Sequence, residues 1–222
     1  MLTDSELHRW WIDPREYERH ESRRGRRHAY ETLDPVRTAL VVVDMVPFFA
    51  DNNAYVRGIV PHINLLATAL RSAGGLVAWV VPAHAPPLGR TSSEFYGPAV
   101  CAVFTASGGT GPPRSRLWPA LDAHPQDLVV EKSAYSAFFP GRSPLPERLA
   151  EHGINSVLIT GTLTNVCCES SARDAATSGL RVLMIADANA ARRDLDHNAA
   201  LHTIYRSFGD VRTTAEVLGL IR

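Results

Sequence analysis

Three side chains that can act together in covalent catalysis each follow a short apolar run of the sequence. Asp44 follows the run 39–43, Lys132 follows 127–131, and Cys167 comes shortly after the run 156–160. If these runs are parallel strands, their carboxyl ends meet at one rim of a sheet, where ligands bind in open α/β folds. A thiol is a nucleophile, and a neighbouring acid can take its proton and return it to a leaving amine.

Lys132 is also unusual in composition, because it is the only lysine among 23 basic residues. One explanation is a coding bias toward arginine that left one lysine by chance. The other is that this position requires a compact ammonium, which a planar guanidinium cannot replace. The second explanation predicts a catalytic lysine. Because a helix is predicted to begin at Cys167, its positive N-terminal end and the nearby ammonium are both expected to favour the thiolate of Cys167.

Each of the three residues also has a purely structural interpretation. An aspartate after a strand often caps a helix, a lysine is usually solvated, and a cysteine is often a small buried hydrophobe. The convergence of all three on one predicted rim favours catalysis over these alternatives.

The elements that must position these residues follow from the alternation of apolar runs with segments of helical spacing. Helices are predicted at 59–72, 144–151 and 167–178, each ending near a glycine. This βαβ pattern predicts one α/β domain, residues 35–222, with a doubly wound, mostly parallel, Rossmann-like sheet and helices on both faces. The predicted strands are 38–43, 76–81, 127–131, 156–160 and 181–186.

Residues 1–34 differ from the rest, since they mix charges of both signs with Trp10, Trp11, Tyr17 and Tyr30. We interpret them as a helical arm and not as a domain. Such a composition can cover a partner subunit, so we expect a homo-oligomer, a dimer or tetramer, with contacts from the arm. The alternative is that the arm folds back on its own subunit.

The segment 82–125 is rich in proline and too long for an ordinary connection, so we expect it to pack over a site. It contains neither G-x-G-x-x-G nor G-x-x-x-x-G-K-S/T between a predicted strand and a predicted helix, so the sequence does not support a phosphate-binding loop.

Composition excludes several classes of partner. The chain carries 23 basic and 23 acidic residues, so nothing attracts it to nucleic acid. The longest apolar runs are far shorter than the ~20 residues of a membrane span. The chain has three cysteines, an odd number, and two of them, Cys167 and Cys168, are adjacent in sequence and cannot easily form a disulfide with each other. The acidic residues Asp4 and Glu6 are not typical of a secretory signal or a transit peptide. We therefore expect a reduced, cytoplasmic setting.

The run ITGTLTNVCCESSARDA, with VVVDM upstream and VVEKSAYSAFF between them, resembles the isochorismatase-like cysteine hydrolases over about residues 36–216. The resemblance implies a triad of Asp44, Lys132 and Cys167, with Cys167 as nucleophile because it follows Thr-Asn-Val, and Cys168 as its neighbour. It also implies a cis peptide between Thr162 and Leu163, and an oxyanion hole formed by the backbone amides of Leu163 and Cys167.

The sequence departs from many members of that family after the catalytic acid. Met45 to Phe49 are apolar where polar residues are common. His62 and His84 are the only histidines between Asp51 and Trp118, whereas nicotinamidases of that family bind a metal with an Asp and several His in this part of the chain. We therefore predict no metal and no other cofactor. The candidates for substrate contact lie after the predicted strands, or near the end of one in the case of Trp79: Phe49, Asn52, Asn53, Trp79, His84, Tyr135, Phe138 and Phe139.

Together these features predict a metal-independent hydrolase that cleaves an amide, lactam or ureido C–N bond of a small molecule through a thioester. The resemblance also implies a streptothricin-type lactam as a candidate substrate, because streptothricin hydrolase belongs to that superfamily and the arginine bias is typical of a GC-rich, actinomycete-like source. Ureidoacrylate or N-carbamoyl amides are an alternative. A vinyl ether hydrolase that uses Asp44 alone, and a catalytically silent binding protein, represent two further classes.

Overall fold

Six parallel strands form one sheet at the centre of the structure, a computed structural model that describes residues 5–221. The strand order is β3-β2-β1-β4-β5-β6, so the order reverses beside β1 and β4. The prediction of a doubly wound parallel sheet is confirmed. The sixth strand was not predicted, because three residues give no readable alternation. The strands are β1 Thr38–Val43, β2 Leu76–Pro82, β3 Leu128–Lys132, β4 Ser156–Thr162, β5 Arg181–Ala190 and β6 Asp210–Arg212.

Ten α-helices within the described residues cover the sheet or build its loops. The predicted helix 59–72 is α4, 144–151 is α7, and 167–178 is α8 preceded by a separate π-helical turn, Thr164–Cys168. The helices are α1 Pro14–Arg24, α2 Pro47–Ala50, α3 Ala54–Gly58, α4 Val60–Ser72, α5 Ser92–Tyr96, α6 Pro98–Thr105, α7 Leu145–Glu151, α8 Glu169–Thr177, α9 Asp194–Ser207 and α10 Thr214–Leu220.

Both faces of the sheet are buried, which explains why β1 reads as an unbroken apolar run. Val41 and Val43 face one core layer, in which α7, α8 and α9 contribute Leu149, Ala172 and Leu201. The opposite layer contains Leu40, Val42 and Trp79 of the strands, together with Ile63, Leu66 and Leu70 of α4. The two layers fix the strand ends that carry the candidate site.

The N-terminal arm packs on its own chain. Its helix α1 covers residues 14–24 only, and Ile12 is 5% exposed in the core layer that also contains α9. His20 Nε2 lies 3.1 Å from the carbonyl oxygen of Tyr205, whose hydroxyl donates to the carbonyl of Arg27 at 2.6 Å. Trp11 remains 62% exposed. A contact of the arm with a partner subunit stays a prediction.

The proline-rich connection between β2 and β3 folds into α5 and α6 and two single 3-10 turns. None of the side chains of α6 is buried, although its sequence is apolar. No described helix combines the length and the apolar character needed to cross a membrane.

Candidate active site

Asp44 stands directly after β1, at the point where the strand order reverses. Its backbone N–H donates to the Val80 carbonyl at 2.9 Å, which continues the pairing of β1 with β2. Its φ of 55° lies in the left-handed region, which is uncommon for a residue other than glycine and turns the chain off the sheet. The side chain is 1% exposed, so its carboxylate depends on protein partners and not on water.

Lys132, the last residue of β3, supplies the nearest partner. Its Nζ lies 2.8 Å from Asp44 Oδ2 and 3.0 Å from the carbonyl oxygen of Ala134. The same nitrogen lies 3.5 Å from Cys167 Sγ. The three donors of the ammonium thus have three acceptors, which is the arrangement a buried charge requires.

Cys167 is delivered by the end of β4. The strand passes close to β1 at Gly161, where φ is +109° and an added Cβ would lie 2.2 Å from the carbonyl oxygen of Val43. The peptide bond between Thr162 and Leu163 is cis, the geometry that the family resemblance implies for this bond. Cys167 follows in the π-helical turn and is 6% exposed. The structure therefore brings Asp44, Lys132 and Cys167 together.

Burial and mutual charge set the protonation of these three groups. Burial raises the pKa of Asp44 above its ordinary value, although the Lys132 ammonium opposes the shift. Burial alone would lower the pKa of Lys132, but Asp44 and Cys167 reverse this and raise it above the ordinary value. Burial and the Asp44 carboxylate raise the pKa of Cys167 to about 12, against the opposing effect of Lys132.

Burial and the Asp44 carboxylate therefore oppose the thiolate that was expected for Cys167. Lys132 is committed to Asp44, so the charge of the ammonium is largely neutralised before it acts on the sulfur. Lys132 and Asp44 form an ion pair, and burial together with the Asp44 charge favours the neutral form of the Cys167 thiol. Asp44 Oδ1 is buried and accepts no hydrogen bond from any described residue, while Lys132 bridges the carboxylate and the sulfur through Nζ. Oδ1 is thus placed to take the thiol proton during a reaction.

A cavity of about 140 Å³ opens onto the three residues and has mainly apolar walls. Phe49 and Tyr135, both predicted as substrate contacts, line it. The connection between β2 and β3 adds Tyr96 and Phe104, so this segment covers the cavity as expected. The hydroxyls of Tyr96 and Tyr135 are in hydrogen-bond contact across it. Such a space fits a small molecule with an apolar body.

A second cavity, of about 340 Å³, shares Phe49 and Leu163 with the first as common walls. We call it the outer cavity. Asn52 and Asn53, predicted from the sequence, line it beside Tyr55 and Arg192.

The structure does not bring the other predicted contacts into the first cavity. Trp79 is fully buried in the core layer of α4, where its Nε1 donates to Asp127 Oδ2 at 2.8 Å. Phe138 is 3% exposed in the opposite layer. His84 lies between two lining residues but does not line the cavity itself, and Phe139 faces a separate groove. Trp79 lies inside β2, three residues before the strand ends, and its side chain faces the α4 layer and not the rim where the cavity opens.

Tyr96, Phe104 and Arg192 were missed by sequence reasoning. The only signal for the two aromatic residues was their place in a segment expected to pack over a site. Nothing in the sequence distinguished Arg192 from the other arginines.

Within residues 5–221, no group of three or more His, Cys, Asp and Glu side chains is arranged to hold a metal ion. His62, one of the two histidines between Asp51 and Trp118, has its Nδ1 3.3 Å from Asp187 Oδ2. Activity without a metal stays a prediction.

Comparison with known proteins gives a consistent result. The model of the isochorismatase domain matches residues 38–216. A cysteine hydrolase from Pseudomonas syringae pv. phaseolicola superposes with a TM-score of 0.74 at 29% identity, covering 85% of this chain and 94% of that chain. An isochorismatase family protein from Burkholderia thailandensis gives 0.69 at 28% identity, with coverage of 86% and 97%.

N-carbamoylsarcosine amidase from Thermoplasma acidophilum is a further structural relative. Its TM-score is 0.62 at 25% identity, and the match covers 80% of this chain and 96% of that chain. The matched residues 38–216 include the strands, the cis peptide and all three buried residues of the site. On these grounds, the chain belongs to the isochorismatase family, among the isochorismatase-like cysteine hydrolases.

Proposed function

We propose that the protein is a metal-independent amidohydrolase that cleaves a C–N bond of a small molecule through a thioester on Cys167. The observation that carries this proposal is the placement of Cys167 Sγ, 3.5 Å from Lys132 Nζ, at the floor of a mainly apolar cavity. The similarity to an amidase and to a cysteine hydrolase supports the same reaction class.

The first half of the reaction transfers an acyl group to sulfur. Asp44 takes the thiol proton as the sulfur attacks the carbonyl carbon, and the new oxyanion is held by the backbone N–H groups of Leu163 and Cys167. The C–N bond then breaks, and the amine leaves with the proton that Asp44 returns. Lys132 keeps Asp44 ionised between these transfers, because the ammonium stabilises the carboxylate at 2.8 Å.

The second half releases the acid. A water molecule attacks the thioester carbonyl and gives a proton to Asp44, the S–C bond breaks, and the sulfur recovers that proton. The cycle consumes one water and one amide and forms one carboxylic acid and one amine. It needs no oxidant, reductant or cofactor.

The apolar walls limit the substrate. Phe49, Phe104 and the rings of Tyr96 and Tyr135 favour an aliphatic or aromatic body next to the scissile carbonyl, as in a carboxamide or lactam. Ureido and N-carbamoyl groups present the same carbonyl and nitrogen to the sulfur, and they belong to the same proposal.

The test is release of ammonia or amine from a panel of carboxamides, ureides and lactams, combined with intact-mass measurement of the enzyme during turnover. We expect an added acyl mass that maps to Cys167 and disappears with hydroxylamine. Cleavage of a vinyl ether without release of ammonia would support the vinyl ether hydrolase instead. A chain that neither turns over nor acquires an acyl mass on the whole panel would favour a binding protein.

A further inference from the structure

The outer cavity combines an unpaired cation with an open polar wall, directly beside the proposed catalytic site. Arg192 is exposed there and forms no ion pair or hydrogen bond with any described residue. Its neighbour Arg193, in contrast, makes a bidentate pair with Asp196 at 2.8 Å. Among the described residues that line this cavity, none is acidic.

The second polar group is Asn52, whose side-chain amide has no partner in the described part of the chain and faces the same cavity. Asn53 is already committed, since its Oδ1 accepts from the Tyr55 N–H at 3.0 Å and its Nδ2 donates to the Ala191 carbonyl at 3.1 Å. A free guanidinium and a free amide match the donors that a carboxylate requires.

The N-terminal arm fixes the position of the wall that carries Arg192. His8, a residue of the arm with 8% exposure, accepts the Ala191 N–H at 3.0 Å through Nε2. Its Nδ1 donates to Asp194 Oδ1 at 2.7 Å, on the other side of Arg192. The His8 ring also stacks on Tyr55, with centroids 3.8 Å apart. The His8 side chain thus contacts Ala191 and Asp194, which lie on either side of Arg192 in the sequence, and also the ring of Tyr55 in the cavity wall.

We infer that the outer cavity is a carboxylate subsite, in which Arg192 and Asn52 bind an anionic group of the substrate and His8 of the arm holds the subsite in place. The inference rests on the proposed amidohydrolase function, because Leu163 joins this cavity to the one that contains Cys167. The substrate class is then an amide that carries a carboxylate a few carbon atoms from the scissile carbonyl. The product is a dicarboxylic acid where the amide is a primary one.

Turnover of matched substrates gives the first measurement. Succinamate and butyramide differ mainly in the carboxylate, as do glutaramate and valeramide. We expect kcat/KM for one of the anionic amides to exceed that of its neutral match about tenfold to a hundredfold, the range of a charge-assisted hydrogen bond. In Arg192→Met this ratio should fall to about one. Arg193→Met removes an exposed arginine next in sequence and should retain the wild-type ratio.

Binding of glutarate, measured by calorimetry, separates a failure of this inference from a failure of the proposed reaction. We expect glutarate to bind the wild type and Arg193→Met, and to bind Arg192→Met at least tenfold more weakly. Equal binding to wild type and Arg192→Met, or no binding to either, would overturn the subsite, whatever the amides show. Glutarate binding that depends on Arg192, without turnover of any amide, would retain the subsite and reject the proposed reaction.

The role of His8 is tested with a second pair of variants. His8→Ala should lower the ratio of anionic to neutral turnover, and His8→Gln should restore part of it because the amide oxygen can accept the Ala191 N–H. His20 is also a nearly buried histidine of the arm, but it contacts Tyr205 and not the outer cavity. If His20→Ala changed the ratio as much as His8→Ala, the effect would belong to the arm as a whole and the positioning role of His8 would be rejected.

Discussion

Replacing Asp44 by asparagine is expected to abolish hydrolysis and, at the same time, to make Cys167 react faster with an alkylating reagent. The two effects have one cause. The carboxylate is the proposed proton acceptor of the reaction, and it is also a negative charge that raises the pKa of the neighbouring thiol. Its removal leaves the Lys132 ammonium, 3.5 Å from the sulfur, without its counter-charge.

The magnitude follows from the charges. With a pKa of about 12, roughly one Cys167 in ten thousand is a thiolate at pH 8. Asp44 Oδ2 and Cys167 Sγ lie 2.8 Å and 3.5 Å from the same Lys132 Nζ, so the carboxylate oxygen is at most about 6 Å from the sulfur. A unit charge about 6 Å away contributes about 3 kcal/mol at an effective dielectric constant of 20, which is about a hundredfold in an acid dissociation constant. The Asp44→Asn variant should therefore contain about a hundred times more thiolate or more, and the alkylation rate should rise by a similar factor, since the thiolate is the reactive form.

The assay is the rate of carbamidomethylation by iodoacetamide at pH 8, read by mass spectrometry of the peptide that contains Cys167. Cys101, which is half-buried and lies on α6, serves as the internal reference in the same sample. Asp196→Asn is the matched control, because it removes an acid on α9 that pairs with the exposed Arg193. If Cys167 in Asp44→Asn reacted no faster than in the wild type, the carboxylate would not control the acidity of the thiol.

Four further predictions follow from the site and the arm. Cys167→Ser should lose hydrolysis at least a hundredfold with the fold intact, whereas Cys168→Ser, whose thiol donates to the Thr160 carbonyl inside a core layer, should be mildly affected. Loss of activity in Cys168→Ser instead would show that Cys167 was wrongly chosen as the nucleophile. Lys132→Arg should lose most of kcat, because Lys132 is 4% exposed and the larger, planar guanidinium does not fit in its place. An active variant would mean that the single lysine of the sequence is there by chance. Dialysis against a chelator should leave the rate unchanged, and recovery only with added zinc, iron or manganese would contradict this. Deletion of residues 1–30 should lower Tm by roughly 10 °C because Ile12 and its neighbours leave the core, and light scattering of the same sample tests the expected oligomer.

The positions of Asp44, Lys132 and Cys167 were predictable because each follows a strand, and the ends of parallel strands share one rim. The apolar runs that form β1 and β4 are buried on both faces, which makes such strands easy to recognise in a sequence. The protonation of Cys167 was not predictable in the same way. It depends on whether the ammonium faces the sulfur or the carboxylate more closely, and this is a matter of distances that spacing in the chain does not contain.

The walls of the cavity were harder to predict than its floor. Tyr96 and Phe104 come from a connection without periodic pattern, so the sequence indicates its role as a cover but not the residues that face inward. Trp79 was grouped with the loops that follow the strands although it lies inside the predicted strand 76–81, and a side chain inside such a strand faces a core layer. His8 lies 189 residues before His197, on which its ring also stacks, and such long-range contacts leave no local signature.

The connection between β2 and β3 that covers the first cavity is coupled only weakly to the hydrophobic core, in contrast to the central strands. Because α6 buries no side chain, its opening exposes little additional apolar surface, whereas displacement of β1 or β4 would disrupt both core layers. Local opening should therefore occur far more often than global unfolding, and amide hydrogens of α6 should exchange with solvent well before those of the central strands. Substitutions at Tyr96 and Phe104 can then alter which molecules enter at small thermodynamic cost, so that substrate range and fold stability can change independently in this chain.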